Sequence, residues 1–182
     1  MDYGALSRLA KPVVEHEHIQ GPASAVVTLV EYGDYQCPNT RAAYSVVKKI
    51  QQLSGDWLRF AFRHFPKTQK HEYAQIAAEA VESAGAQGLF WEMHDYLMRH
   101  THLDEGSLMD YAEEIGLDVD RFESDLASHV HRQRVQDDIA GGFDSGVTDT
   151  PTFFMNGKKY TGKLTEDDML EAIETAADDI ED

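Results

Sequence analysis

The stretch "EYGDYQCPNTRAAY", residues 31–44, decides how the chain is read. It overlaps the end of "ASAVVTLVEYGDY", a β-branched and almost continuously apolar run with the pattern of a buried strand. Pro38 then opens a helix, since its fixed φ and missing N–H suit the first helical position. Ala43, Val46, Val47, Ile50 and Leu53 fall on one face of that helix, and Gly55 and Asp56 end it. "WLRFAFRHF" follows as a second strand with aromatic, alternating character. Strand, helix, strand make a βαβ unit. Cys37, the single cysteine of the chain, stands just before its helix. Orphan N–H groups and the positive end of the helix dipole favour an anion there, and so favour a thiolate over a thiol. Thr40 comes three residues on and can turn its hydroxyl to the sulfur as a donor. Arg41, one turn inside, adds positive charge. Such a placement argues against a buried, inert thiol.

Outward from this unit the period changes. Residues 68–145 carry almost no strand signal. "HEYAQIAAEAVESAGAQG", "LFWEMHDYLMRH", "DEGSLMDYAEEIG", "DVDRFESDLAS" and "HVHRQRVQDDIAGGFDSG" each read as helix, with Asp118 or Asp120 as a cap and glycines as stops. "TPTFFMNGKKYTG" reads as a hairpin turning at Asn156-Gly157. A last amphipathic helix starts at the cap Thr165 and buries Met169, Leu170, Ile173 and Ala177. We expect an α/β protein with one domain over residues 1–182 and a helical insertion at about 68–130 within it.

Composition excludes several classes. The formal charge of −17 repels nucleic acid and anionic membranes. No apolar run is long enough to span a bilayer. The first residues have neither the basic nor the apolar region of a signal peptide. One cysteine allows no intrachain disulfide. These features together favour the cytoplasm. The charge is uneven, because Arg41 to Lys70 carries seven basic residues and one acid. Such a window is either a solvated face or a place where an anionic ligand meets Cys37. The pairs His16/His18, His100/His102 and His129/His131 lack the spacing of a closed metal site, and we expect no metal. His64, just after the second strand, reads as structural, and Trp91 with Phe90 and Met93 as core.

The β-strand, the Cys-Pro-x-x helix and the later Thr-Pro before a ββα unit resemble the thioredoxin fold. The helical insertion resembles its DsbA branch. "VTLVEYGDYQCP", "FRHFP", "AAEAVESAGAQGLFWEMHDYL" and "GVTDTPTFFMNG" are similar to the BdbD-type group. The resemblance covers about residues 15–177. Most of that group has a second cysteine where this chain has Thr40. Cys-Pro-x-Thr variants resemble the thioredoxin-like extension of some NhaA-type antiporters. The resemblance implies a cis bond between Thr150 and Pro151 facing Cys37, with Pro38, Thr150 and Pro151 forming the substrate edge. It implies for Glu31 a buried acid that relays a proton to the second cysteine, a partner Thr40 has removed. With no internal disulfide, the implied activity is thiol–disulfide exchange by a monothiol route. A mixed disulfide on Cys37 is resolved by an external thiol such as glutathione, and no cofactor is needed. The partner is a thiol- or disulfide-containing protein or a small thiol. A redox-sensing binding module and a glutathione-dependent transferase or isomerase remain as alternatives, and oligomeric state is left open.

Overall fold

A computed structural model describes residues 8–179. Its elements in chain order are β1 (Ile19–Gln20), β2 (Val27–Gly33), α1 (Pro38–Ser54), β3 (Leu58–His64), α2 (Ala74–Ala86), α3 (Phe90–Arg99), α4 (Glu105–Glu114), α5 (Val119–Ala127), α6 (Arg132–Asp144), β4 (Thr152–Met155), β5 (Lys158–Lys159) and α7 (Glu166–Asp178). The strands form one mixed sheet in the order β1-β3-β2-β4-β5. β2 and β3 run parallel with Val27 opposite Leu58, so α1 is the crossover between them. β4 returns antiparallel to β2, with Glu31 opposite Phe153. Five helices, α2 to α6, stand between β3 and β4.

The period of two along β2 sorts its side chains between two cores. Val27 and Leu29 face the larger core, with Phe60 and Phe62 of β3, Ala43, Val47 and Ile50 of α1, and the insertion's Ala77, Val81, Met93 and Leu97. Val30 and Tyr32 face the smaller core, with Ala61, Phe65, Val147 and Phe154. Helix α1 buries Thr40, Ala43, Val47 and Ile50. The expected stripe fails at its end, because Leu53 is 54% exposed. Gly55 closes α1 at φ +51.

Local chemistry explains the other boundaries. Asp118 and Thr165 accept from the N–H groups of Arg121 and Asp168, capping α5 and α7. The hairpin turns at Asn156 and Gly157, both at positive φ, as a type I′ turn requires. β1 has no counterpart in the sequence reading. It is two residues long and exists by antiparallel pairing of Ile19 with Ala61 on the edge of β3. Among the described residues, no helix is long and apolar enough to cross a membrane.

Candidate active site

β2 delivers the chain to a tight turn, and the turn delivers Cys37 to α1. Asp34 Oδ1 accepts from the N–H of Gln36 at 2.8 Å, and its carbonyl accepts from the N–H of Cys37 at 3.0 Å. Cys37 is the N-cap residue of α1 in an extended conformation, and Pro38 follows as its first residue. The cap makes no side-chain bond to the helix. The thiol instead donates to the carbonyl of Thr150 at 3.3 Å. The Thr150–Pro151 peptide bond is cis and leads into β4. Cys37 is buried, with 5% of the residue exposed, where its placement before the helix argued against a buried thiol.

Thr40 does not serve the sulfur as a donor. It is fully buried, and its Oγ1 accepts from the N–H of Asp34 at 3.3 Å. Its methyl group lies over Gly33. A Cβ at Gly33 would stand 3.1 Å from Thr40 Cγ2 and 2.5 Å from the Phe62 ring, so glycine is what lets α1 start this close to β2. Thr40 thus holds the turn rather than the reacting atom.

Arg41 also departs from expectation. Its Nη1 donates to the carbonyls of Leu97 at 2.6 Å and Tyr35 at 3.2 Å, which ties α1 to α3. The rest of the basic window is largely spoken for. Lys48 pairs with Asp95, Arg63 with Glu17 and Lys67 with Asp149, while Arg59 donates to Thr28 Oγ1. This matches the reading of solvated and paired charges, not that of an anion-collecting patch at Cys37.

Glu31 lies on the face of β2 that α1 covers, between Phe62 on β3 and Phe153 on β4. It is 2% exposed, and its Oε1 has no hydrogen-bond partner among the described residues. Burial raises its pKa from 4.5 to about 8, so the group is a neutral acid at neutral pH.

Three groups escaped the sequence reading. Asp34 is buried, and its Oδ2 accepts from the N–H of Lys67 at 2.9 Å and from His71 Nδ1 at 2.7 Å. This pins the segment after β3 to the active-site turn. Lys67 Nζ then reaches Thr148 O and Asp149 Oδ1, linking the same segment to the cis-proline loop. Tyr35 and His94 form a buried pair, with the hydroxyl 2.9 Å from Nδ1. Burial pushes the Tyr35 hydroxyl well up and His94 well down, so both are neutral and the hydroxyl donates. Sequence offers no signal for such pairs, because their members stand 33 to 82 residues apart.

Behind the site, Glu82 of α2 accepts from His18 and His64, each at 2.8 Å. Burial raises its carboxyl, but the hydrogen bonds and charges of the two histidines outweigh this and hold it well below the usual range. His64, Glu82 and Asp138 are the one group among the described residues with ligand atoms spaced for a cation. Their four carboxylate oxygens already accept from His18, His64, Arg134 and the N–H of His64. That is the pattern of an ion-pair network. The paired histidines of the sequence are scattered, with His129 on Glu79 and His131 on Asp125.

Two open clefts flank the start of α1. One is lined by Asn39, Ala42, Ala43, Asp149, Thr150, Pro151 and Leu164. The other is lined by Tyr35, Gln36, Pro38, Arg41, Thr101 and Leu103. Pro38 lines the second cleft, and Thr150 and Pro151 line the first, so both clefts reach residues that neighbour the thiol.

A cysteine at the head of α1, set against a cis-proline before β4, on a sheet of this order, is matched by the family model described as Thioredoxin over residues 14–175. The chain belongs to the thioredoxin family. Among its thioredoxin-fold neighbours, the oxidised structure of BdbD from Bacillus subtilis superposes with a TM-score of 0.83 at 24% identity, covering 94% of this chain and 98% of that one. A thioredoxin-like oxidoreductase from Silicibacter pomeroyi DSS-3 superposes at 0.78 with 24% identity, covering 92% and 94%. These make the fold DsbA-like. In sequence, a Na(+)/H(+) antiporter NhaA 1 of Salinispora arenicola is 42% identical over 163 residues, 89% of this chain and 25% of that protein. The NhaA of Herminiimonas arsenicoxydans is 40% identical over 160 residues, 86% and 25%. The thioredoxin-family chain spans about a quarter of the length of these curated relatives.

Proposed function

We propose that the protein is a DsbA-like thiol–disulfide oxidoreductase working by a monothiol route. The observation that carries this reading is the 3.3 Å contact of Cys37 Sγ with the Thr150 carbonyl, where Thr40 instead of a second thiol stands one turn on. The Cys37 thiolate attacks one sulfur of a substrate disulfide R–S–S–R′. A bond forms between Cys37 and R–S, and R′–S⁻ leaves and takes up a proton. A second thiolate, from glutathione or another small thiol, then attacks the R–S sulfur. A bond forms between the attacking and the attacked sulfur, giving R–S–S–G with glutathione, and Cys37 leaves as thiolate. The R′ half is the reduced product, and where R is itself glutathione, as with a glutathionylated peptide, the oxidised product is oxidised glutathione. Pro38, Thr150 and Pro151 frame the groove in which the substrate sulfur approaches, and no cofactor takes part.

The test is reduction of a glutathionylated peptide by glutathione, followed as oxidised glutathione formed per protein. Turnover above the uncatalysed rate supports the reading, and its absence overturns it. The antiporter relatives favour a second reading, a regulatory module that captures a partner thiol without turnover. Stable capture with no glutathione-dependent release would select it.

Thr40→Cys is expected to turn the protein into a dithiol oxidoreductase. Residues three apart at a helix start bring their Cβ atoms to roughly 5–6 Å, close enough to bridge with a small shift. In oxidising buffer both thiols of the variant should become unreactive to a thiol reagent and return on reduction. The variant also loses the Asp34–Thr40 hydrogen bond, at about 1 kcal/mol. If both thiols stay titratable after oxidation, residues 37 and 40 are not in bridging geometry.

A further inference from the structure

The two clefts beside the thiol differ in charge, with Arg41 in one and Asp149 in the other. Among the described residues, Asp149 is the only charged one lining the cleft beside Pro151. It precedes Thr150, the residue whose carbonyl touches the sulfur, so it stands one residue from the reacting atom. Its Oδ1 is fixed twice, by Lys67 Nζ at 2.7 Å and by the N–H of Thr150 at 3.0 Å. Lys67 is itself anchored on the carbonyl of Thr148. Oδ2 makes no hydrogen bond among the described residues, and the side chain is 73% exposed. The hydrogen bond from Lys67 and that from the Thr150 N–H lower the carboxyl's pKa, so it stays ionised. A carboxylate held still, with one oxygen open to a cleft beside a reactive sulfur, is pre-organised to accept a charged donor.

We propose that Asp149 selects the thiol exchanged at Cys37 by binding a primary ammonium group about one residue from that thiol's sulfur. The preferred partner is then an amino-bearing small thiol of the γ-glutamyl-cysteine kind, not an acyl-capped or purely anionic one. This rests on the monothiol reading and names the partner class of the same site. The small thiol meets the disulfide of Cys37 in either of two balanced displacements: its thiolate bonds to Cys37 Sγ and the sulfur already there leaves with the electron pair, or it bonds to that partner sulfur and Cys37 leaves. Asp149 only orients the attacker in both. The ammonium donates to Oδ2 while the attacker's main chain lies against Pro151 and Leu164.

The test uses the whole protein with Cys37 converted to its mixed disulfide with thionitrobenzoate. Release of the coloured thiolate is timed with glutathione and with N-acetylglutathione, two thiols that differ at the amino group alone. The ratio of the two rates should be about five to ten in the unaltered protein and fall towards one in Asp149→Asn, which keeps the bonds to Lys67 and Thr150. Lys67→Met, which frees the carboxylate to move, should lower the ratio by a smaller factor. A ratio near one in the unaltered protein, or one that survives Asp149→Asn, overturns the proposal. Peptide reduction is measured alongside. Turnover with a ratio of one overturns the selection and leaves the monothiol reading intact. A ratio that depends on Asp149 without turnover supports the selection and overturns the enzymatic reading.

Discussion

Cys37→Ser should reduce the peptide-disulfide activity to the uncatalysed rate while leaving the protein folded. Disulfide exchange needs a sulfur that both attacks and leaves, and a serine oxygen forms no mixed disulfide. No other cysteine exists to take over. The fold should hardly notice. Serine is smaller than cysteine, and its hydroxyl can donate to the Thr150 carbonyl as the thiol does at 3.3 Å. The change in stability should stay within about 1 kcal/mol. The check is paired: peptide-disulfide turnover and a thermal melt on the same preparation. Activity lost with an unchanged melt supports the assignment. Activity that survives would transfer the chemistry to another group and favour the transferase alternative.

Glu31→Gln should stabilise the protein, and more so as pH rises. Burial pushes this carboxyl up to about 8 in the folded chain, against 4.5 for a carboxyl in water. Below pH 4.5 both states hold the proton, so the group is neutral in its effect. Between 4.5 and 8 the unfolded chain ionises while the folded one does not. Stability is therefore lost progressively over that window and levels off above it. The loss is on the order of 4 kcal/mol. Glutamine cannot ionise, so the variant should melt about 10 °C higher than the unaltered protein at pH 9 and near it at pH 4.5. Melts across pH decide this. Parallel profiles for the two proteins would mean that Glu31 is solvated or paired in the folded state.

What the sequence made legible was local. Pro38 at the head of α1, the caps Asp118 and Thr165, the Asn156-Gly157 turn and the alternation along β2 each depend on neighbours within a few residues. They appear in the structure where the pattern put them. The strand-helix-strand spacing around Cys37 was enough to place the thiol at a helix start. The strand β1 was not legible, because two residues carry no period and its pairing partner lies in β3. Thr40 and Arg41 were placed on the right turn of the right helix but given the wrong targets. Spacing along a helix gives a side chain's azimuth, while the acceptors it meets come from elsewhere. Thr40 met the N–H of Asp34, and Arg41 met the carbonyl of Leu97, 56 residues away. The basic window left two readings open for the same reason, since the partners Glu17, Asp95 and Asp149 lie outside it. Asp149 drew no notice beside so many acids; the sequence sets it next to Thr150, and the loop geometry sets Thr150 against the sulfur.

The central claim, that a single thiol carries the exchange through a mixed disulfide, is tested most directly by intact-mass spectrometry of the protein. It is mixed with a glutathionylated peptide in the absence of free thiol, then supplied with glutathione. The account predicts one adduct per chain on Cys37, absent in Cys37→Ser, which disappears on adding glutathione as oxidised glutathione forms. A protein that never acquires the adduct, or one whose adduct glutathione does not release, would contradict it.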